Sequence, residues 1–177
     1  MVSSVLSIAA VTLIILASTA AATNHATATA AALCRNSDTP SLCLQISAPL
    51  RHVNAWTMTV TAVKEATEVA VQAKAKAAFL ARSPRLSARQ KSGAEACAES
   101  YGDVLDGLRD SARFLATSRR RADVMNYLSA ASFGVTECEE AFSEIPTAEF
   151  PLARINKQLR KYVSNALAMG DQLKSHW

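Results

Sequence analysis

Four segments of the chain carry apolar residues at alternating steps of three and four, and this spacing constrains the fold more than any other feature. A narrow stripe of this kind is the seam of an α-helix that packs against neighbouring helices at about 20°. Breaks at residues 82–84, 117–118 and 144–151 separate the segments. Because short connections reverse the chain, we expect an all-α, up-down-up-down four-helix bundle rather than one long coiled coil.

The predicted helices run from about Leu50 to Ala81, Pro84 to Ala116, Arg119 to Ser143 and Leu152 to Leu173. Their inward stripes contain Val53, Trp56, Val60, Val63, Thr67, Ala70, Ala73, Ala77 and Leu80; Cys97, Tyr101, Val104, Leu108, Ala112 and Leu115; Val124, Leu128, Ala131, Val135, Cys138 and Phe142; and Leu152, Ile155, Leu159, Tyr162, Ala166, Met169 and Leu173.

Two of the breaks contain residues that start helices. Ser83 followed by Pro84 predicts an N-cap and a first-turn proline for the second helix, and Ser118 is a candidate cap for the third. Glycine and proline are otherwise scarce, with 5 of each in the chain, whereas a β-sandwich of this length needs many more turn residues. The composition therefore agrees with a helical fold.

The first 22 residues predict a secretory signal peptide. Residues 5–16 form an uncharged apolar run that is too short to span a membrane comfortably, and the small residues 17–22 follow it. We expect cleavage after residues 20–22 and no membrane contact thereafter; the alternative is an uncleaved anchor. The mature chain then divides into an extension at residues 23–48, whose residues 23–32 are expected to be loose, and the bundle at residues 49–177.

Export to an oxidising compartment implies that the four cysteines are paired. Cys97 and Cys138 are equidistant from the break at residues 117 and 118, so they lie level in an antiparallel pair, and both occupy inward positions. A disulfide needs Cα atoms within about 7 Å, which this arrangement provides. Cys34 and Cys43 then form a local clip that bends two short helical pieces into a hairpin at one end of the bundle.

The sequence offers no catalytic apparatus and no cofactor site. The histidines, His25, His52 and His176, are isolated from one another, and the chain has no glycine-rich phosphate loop. The chain also lacks a Cys-x-x-Cys pair or a histidine cluster, so no metal site is expected. Glu137, Glu139 and Glu140 fall on different faces of a helix and indicate a solvated surface.

Two charged features are candidates for partner contact. Glu99, Asp103, Asp106 and Asp110 follow one outer face of the second helix, which is either a solvated face or a ridge presented to a partner. Residues 119–121 are three arginines at a hairpin tip, either a solvated corner or a weak contact for acidic pectin or an acidic partner surface. The net charge of +4 suits an acidic polysaccharide but is too mild to indicate nucleic acid binding.

Four sequence blocks occur in order along the chain. They are Cys34 to Cys43 soon after the signal peptide; Cys97-Ala98-Glu99-Ser100-Tyr101 followed by Asp103, Val104 and Leu108; Leu128-Ser129-Ala130-Ala131 leading to Thr136-Glu137-Cys138-Glu139-Glu140-Ala141-Phe142; and Val163-Ser164-Asn165-Ala166-Leu167-Ala168. Together these blocks resemble the plant invertase and pectin methylesterase inhibitor family. The resemblance covers residues 31–175.

This resemblance implies a four-helix bundle with an N-terminal helical hairpin, and disulfides joining first to second and third to fourth cysteine. It also implies a non-enzymatic protein that blocks the substrate cleft of a carbohydrate-active enzyme stoichiometrically. By the same resemblance, inhibitors of the invertase branch are expected to carry a Pro-Lys-Phe element. This sequence lacks that tripeptide, and its nearest stretch is Pro-Thr-Ala-Glu-Phe at residues 146–150.

The block Ser164-Asn165-Ala166-Leu167-Ala168 is more similar to the pectin methylesterase branch, so that enzyme is the favoured target. Acid invertase is the alternative, and non-inhibitory binding of acidic wall polysaccharide is a further one. Secretion to the apoplast is the expected location, with the vacuole as the alternative.

Overall fold

The computed structural model describes residues 25–118, 120–143 and 150–174, and the regular structure of this part is entirely helical. We number the helices α1 (residues 25–34), α2 (Pro40–Ser47), α3 (Ala55–Ala81), α4 (Ala88–Thr117), α5 (Arg121–Ser143) and α6 (Ala153–Asp171). The all-α prediction is confirmed. The proposed signal peptide at residues 1–22 lies outside the described residues.

Helices α3 to α6 form the four-helix bundle. Helix α4 packs against α3 and α5, while α6 closes the square against the same two helices. The core side of α3 is built largely from alanines, namely Ala62, Ala66, Ala70, Ala73 and Ala77, all fully buried. Alanine favours helix and leaves little side chain between helices, so the neighbouring backbones approach closely.

Helices α4 and α5 approach each other closely. A Cβ atom added at Gly107 would lie 2.8 Å from the carbonyl oxygen of Tyr127. Further along the same pair, Cys97 and Cys138 are joined with a Cα–Cα distance of 4.4 Å, which we call the bundle disulfide. The pairing predicted from equal distance to the helix break is therefore confirmed.

The N-terminal segment forms a helical hairpin clipped by the second disulfide. Cys34 and Cys43 join the end of α1 to α2 with a Cα–Cα distance of 5.6 Å, which we call the hairpin disulfide. The hairpin packs through α2 against α3 and α6. Residues 25–32, expected to be loose, are helical, because Ala30 is buried and Leu33 packs against the core cluster.

Polar contacts hold the hairpin turn on α6. The Ser37 hydroxyl donates to Asn165 Oδ1 at 3.0 Å, and the Ser164 hydroxyl donates to Asp38 Oδ2 at 2.7 Å. We call these four residues the hairpin clamp. Gln172 adds a hydrogen bond from Nε2 to the Leu33 carbonyl oxygen at 2.8 Å. The hairpin is thus bonded to the C-terminal helix as well as packed on the bundle.

Two helix starts differ from the prediction. Ser83 caps only a single turn, in which the Leu86 amide donates to the Ser83 carbonyl oxygen at 3.4 Å, and α4 begins after Ser87. The Ser87 hydroxyl accepts from the Gln90 amide, and Gln90 Oε1 accepts from the Ser87 amide; this is a capping box. Ser118, the candidate cap of α5, ends α4 instead.

The start and the buried face of α3 also differ from the prediction. Asn54 caps the helix, which begins at Ala55 rather than near Leu50. Thr59 is 0% exposed and Val60 is 38% exposed, the reverse of the predicted stripe. The Thr59 hydroxyl donates to the Ala55 carbonyl oxygen at 2.7 Å, so its polar group is satisfied within the helix and its burial costs little.

Candidate functional site

The predicted acidic ridge lies along the solvent side of α4. Glu99, Asp103 and Asp106 are exposed and Asp110 is half-exposed, so the structure brings all four to one face as the spacing indicated. Asp106 and Asp110 each pair with an arginine three residues later on the same helix. Among the described residues, no cation lies within ion-pair distance of Glu99 or Asp103, so these two carboxylates are open to a partner.

The opposite side of α4 fixes the ridge in place. Cys97, Tyr101, Val104 and Leu108 are fully buried, and the first of them is covalently bonded to α5. A helix anchored in this way loses little conformational entropy when its outer face binds another protein. The ridge is therefore a rigid surface.

A buried polar cluster connects α4 with α5 and α6. The Tyr101 hydroxyl donates to Asn156 Oδ1 at 2.9 Å, and Asn156 Nδ2 donates to the Val135 carbonyl oxygen at 3.2 Å. The Tyr101 Oη atom also lies 3.0 Å from the sulfur of Cys138. Burial raises the pKa of Tyr101 far above its ordinary value, and the negative charge of Glu139 raises it further, so the hydroxyl stays protonated and donating.

An apolar groove of about 570 Å³ runs between α3 and α4. Its lining consists of Trp56, Val60, Val63, Lys64, Thr67, Glu68, Ala112, Leu115 and Ala116. The indole Nε1 of Trp56 donates to the Leu115 carbonyl oxygen at 3.4 Å, which holds the ring across the two helices. Trp56 was expected to lie in the core; it is half-buried at the groove, because the buried face of α3 turns toward Thr59.

The arginines at residues 119–121 do not form an open basic cluster within the described part. Arg120 pairs with Asp123 at 2.7 Å, and Arg121 pairs with Asp171. Residue 119 lies outside the described residues. Carboxylates therefore neutralise both described arginines of this corner, Arg120 and Arg121.

The described residues contain no constellation suited to catalysis or metal binding. His25 and His52 are exposed and lie on separate segments, and His176 falls outside the description. No group of three histidine, cysteine or carboxylate side chains that could hold a metal occurs in residues 25–118, 120–143 and 150–174. Glu139 pairs with Arg160, while Glu137 and Glu140 extend from other faces of α5. No helix in this part of the chain is long and apolar enough to cross a membrane.

The geometry agrees with the comparisons to known proteins. The family model for plant invertase/pectin methylesterase inhibitors matches residues 28–169, so the chain belongs to this family of inhibitor proteins. No curated protein sequence matches the chain.

Solved structures of pectin methylesterase inhibitors share the fold. A mutant form of an inhibitor from Arabidopsis superposes with a TM-score of 0.70 at 19% identity, covering 81% of this chain and 96% of that one. An inhibitor from Arabidopsis thaliana superposes with a TM-score of 0.64 at 18% identity, covering 83% and 97%. At these identities the likeness establishes the bundle and its hairpin.

Proposed function

We propose that this protein is a secreted, stoichiometric inhibitor of plant pectin methylesterase that docks over the enzyme's substrate cleft and so limits de-esterification of cell-wall pectin. The observation that carries the proposal is the family match over residues 28–169 on a rigid helical bundle. The expected location is the apoplast, because residues 1–22 have the pattern of a cleaved signal peptide.

Pectin methylesterase is favoured over invertase for two reasons. The sequence has no Pro-Lys-Phe element, which the resemblance associates with invertase inhibition. The two structures described above are both of pectin methylesterase inhibitors. The block at residues 164–168, in contrast, loses its weight as a target signal, since Ser164 and Asn165 bind the hairpin turn and Ala166 is buried.

The exposed side of α4 supplies part of the proposed contact surface. A standard interface buries about 1,600 Å², which the bundle can provide from two or three helices. Glu99 and Asp103 bring free carboxylates to this surface, and Asp106 and Asp110 extend the same line. We expect the ridge to face cations of the enzyme, where complementary charge speeds encounter and fixes orientation.

The proposal is tested by charge reversal on the ridge. The purified mature protein should abolish pectin methylesterase activity at one inhibitor per enzyme and leave acid invertase active. Asp103→Lys with Asp106→Lys should raise the inhibition constant about tenfold or more, because like charges then meet across the interface.

The matched control is Glu137→Lys with Glu140→Lys, which reverses two carboxylates at the same spacing on α5. Its inhibition constant should stay within about twofold of the native value, since surface substitutions outside an interface have small effects. Circular dichroism should show unchanged helicity for both variants. Equal inhibition by the ridge variant and the native protein removes the ridge from the interface; invertase inhibition in place of pectin methylesterase inhibition overturns the target.

A further inference from the structure

One end of the bundle carries a group of cations that no carboxylate accompanies in sequence. Residues 69–94 contain six basic residues and no aspartate or glutamate: Lys74, Lys76, Arg82, Arg85, Arg89 and Lys91. They extend from the last third of α3 through the connection to the start of α4, with Lys74 Nζ beside Gly102 of α4, and we call them the basic end. Five are exposed and Lys91 is half-exposed.

The basic end is free of ion pairs within the described residues. Each ion pair among the described residues uses a cation outside the basic end, such as the paired arginines on α4 and those at residues 120 and 121. Residues 69–94 thus carry six basic and no acidic residues, whereas the rest of the chain has 13 basic and 15 acidic residues.

Helix stability does not account for the cations at the start of α4. Arg89 and Lys91 stand in the first turns of α4, where the helix dipole disfavours cations, and the first turn contains no acidic residue to offset them. Arg154 and Lys157 repeat this arrangement at the start of α6, which lies at the same end of the up-down bundle. Two helices thus begin with cations where stability alone would favour carboxylates.

An aromatic ring completes the surface. Phe79 is 70% exposed and, with Arg82, Pro84 and Arg85, lines a recess of about 490 Å³ at the α3–α4 connection. A flat apolar ring suits the C–H face of a sugar, and a guanidinium binds a carboxylate through two parallel hydrogen bonds. Side by side, these groups match a sugar that carries a carboxylate.

We propose that the basic end binds a linear polyuronate chain, with one uronate unit in the Phe79 recess and further carboxylates along the remaining cations. A polysaccharide is favoured over a membrane because residues 69–94 present two separate exposed large apolar side chains, Val71 and Phe79, eight residues apart, rather than a continuous apolar helix face. The mild net charge and lone ring also fit poorly with nucleic acid, which requires denser charge and repeated stacking.

The identity of that polyuronate as de-esterified pectin rests on the proposed function, whereas the binding chemistry does not. The basic end and the acidic ridge can work together, since Lys91 and Glu99 are eight residues apart on α4, or about 12 Å along the helix axis. An inhibitor held on the free-acid form of the polymer would stay where its target enzyme has acted.

The test measures binding of the mature protein to immobilised polygalacturonate as salt is raised. Arg82→Gln with Arg85→Gln should weaken binding about tenfold at low salt, whereas Arg109→Gln with Arg113→Gln, which removes the same charge from paired arginines, should change it less than about twofold. Equal losses in both variants, or none in the first, overturn the basic end as the site. Phe79→Ala should lower the affinity that survives at high salt, and an unchanged value overturns the recess.

Two further probes separate a polyuronate from mere negative charge. Fully methyl-esterified pectin, which has the same backbone without carboxylates, should not bind, and polyglutamate should bind clearly more weakly than polygalacturonate. Equal binding of polyglutamate overturns the assignment to a sugar. The Arg82/Arg85 variant should inhibit the enzyme as well as the native protein does. If the native protein itself fails to inhibit, that result counts against the proposed function, and the polygalacturonate binding test still applies.

Discussion

The buried Tyr101 hydroxyl provides the sharpest test of how the bundle is held together. Tyr101 is 0% exposed, and its hydrogen bond to Asn156 is one of two that satisfy that side chain between α4, α5 and α6. Tyr101→Phe removes the donor, keeps the ring and leaves Asn156 Oδ1 without a partner. An unsatisfied buried acceptor costs about 1–3 kcal/mol, so we expect the free energy of unfolding to fall by about 2 kcal/mol.

The measurement is urea unfolding followed by circular dichroism at neutral pH, with Tyr162→Phe as the control. Tyr162 is a half-buried tyrosine on α6 whose hydroxyl makes no hydrogen bond within the described residues. Its substitution should change the free energy of unfolding by less than about 0.5 kcal/mol. Equal losses for the two variants would show that the Tyr101 hydrogen bond contributes nothing particular to stability.

The stability difference between the native protein and Tyr101→Phe should also depend on pH in the alkaline range. Burial holds the pKa of Tyr101 above its unfolded value of about 10, so the folded state keeps a proton that the unfolded state releases. The stabilisation is complete below pH 10 and declines above it. The advantage of the native protein over Tyr101→Phe should therefore shrink by about 1.4 kcal/mol between neutral pH and pH 11.

All other ionisable groups are the same in both proteins, so their contributions to stability cancel in this difference. A difference that stays constant up to pH 11 would mean that Tyr101 ionises in the folded state as readily as in the unfolded chain, which contradicts its burial. A difference that grows with pH would reverse the sign of the argument altogether.

Two other predictions concern close packing and covalent constraint. Replacing both cysteines of the bundle disulfide by alanine should lower the free energy of unfolding by about 4 kcal/mol, against about 2.6 kcal/mol for the hairpin disulfide, because the bundle disulfide closes the longer loop. Denaturant titration of both variants measures the two losses. Equal losses, or a larger loss for the hairpin disulfide, would refute the loop-entropy reasoning. Gly107→Ala should cost about 1–3 kcal/mol, since its methyl group meets backbone. Gly102→Ala should gain about 0.5–1 kcal/mol, because its methyl group meets only the flexible end of Lys74; loss of stability in both variants contradicts this comparison.

The helical bundle and the disulfide pairing were predictable because several independent patterns agreed on them. Cys97, Tyr101, Val104 and Leu108 repeat at helical spacing, and all four are buried where the stripe placed them. The level position of Cys138 followed from the helix break alone and needed no knowledge of side-chain packing. Where periodicity, breaks and cysteine positions coincide, tertiary packing has little freedom to choose another arrangement.

The buried face of α3 could not be predicted because the sequence pattern there is ambiguous. Threonine and valine alternate at residues 59–61, and the more apolar Val60 is the natural choice for the core. A threonine that bonds back to its own helix is nearly as easily buried as valine, so hydropathy cannot decide between them. The resulting rotation placed Trp56 at a groove. The start of α4 was predicted wrongly for another reason. The sequence contains two helix-start signals, Ser83-Pro84 and the capping box of Ser87 and Gln90, and only the second begins α4.

The hairpin clamp shows why family resemblance identifies the scaffold more readily than the target. Ser164 and Asn165 lie in a block that resembles one branch of the family, yet their side chains bind Ser37 and Asp38 within the same chain. A block that is constrained by packing in this way can be shared by inhibitors of different enzymes, since its side chains already have partners within the fold. Under the proposed function we expect discrimination to come from exposed side chains such as Asp103, which pairs with no cation among the described residues and can therefore change with the partner.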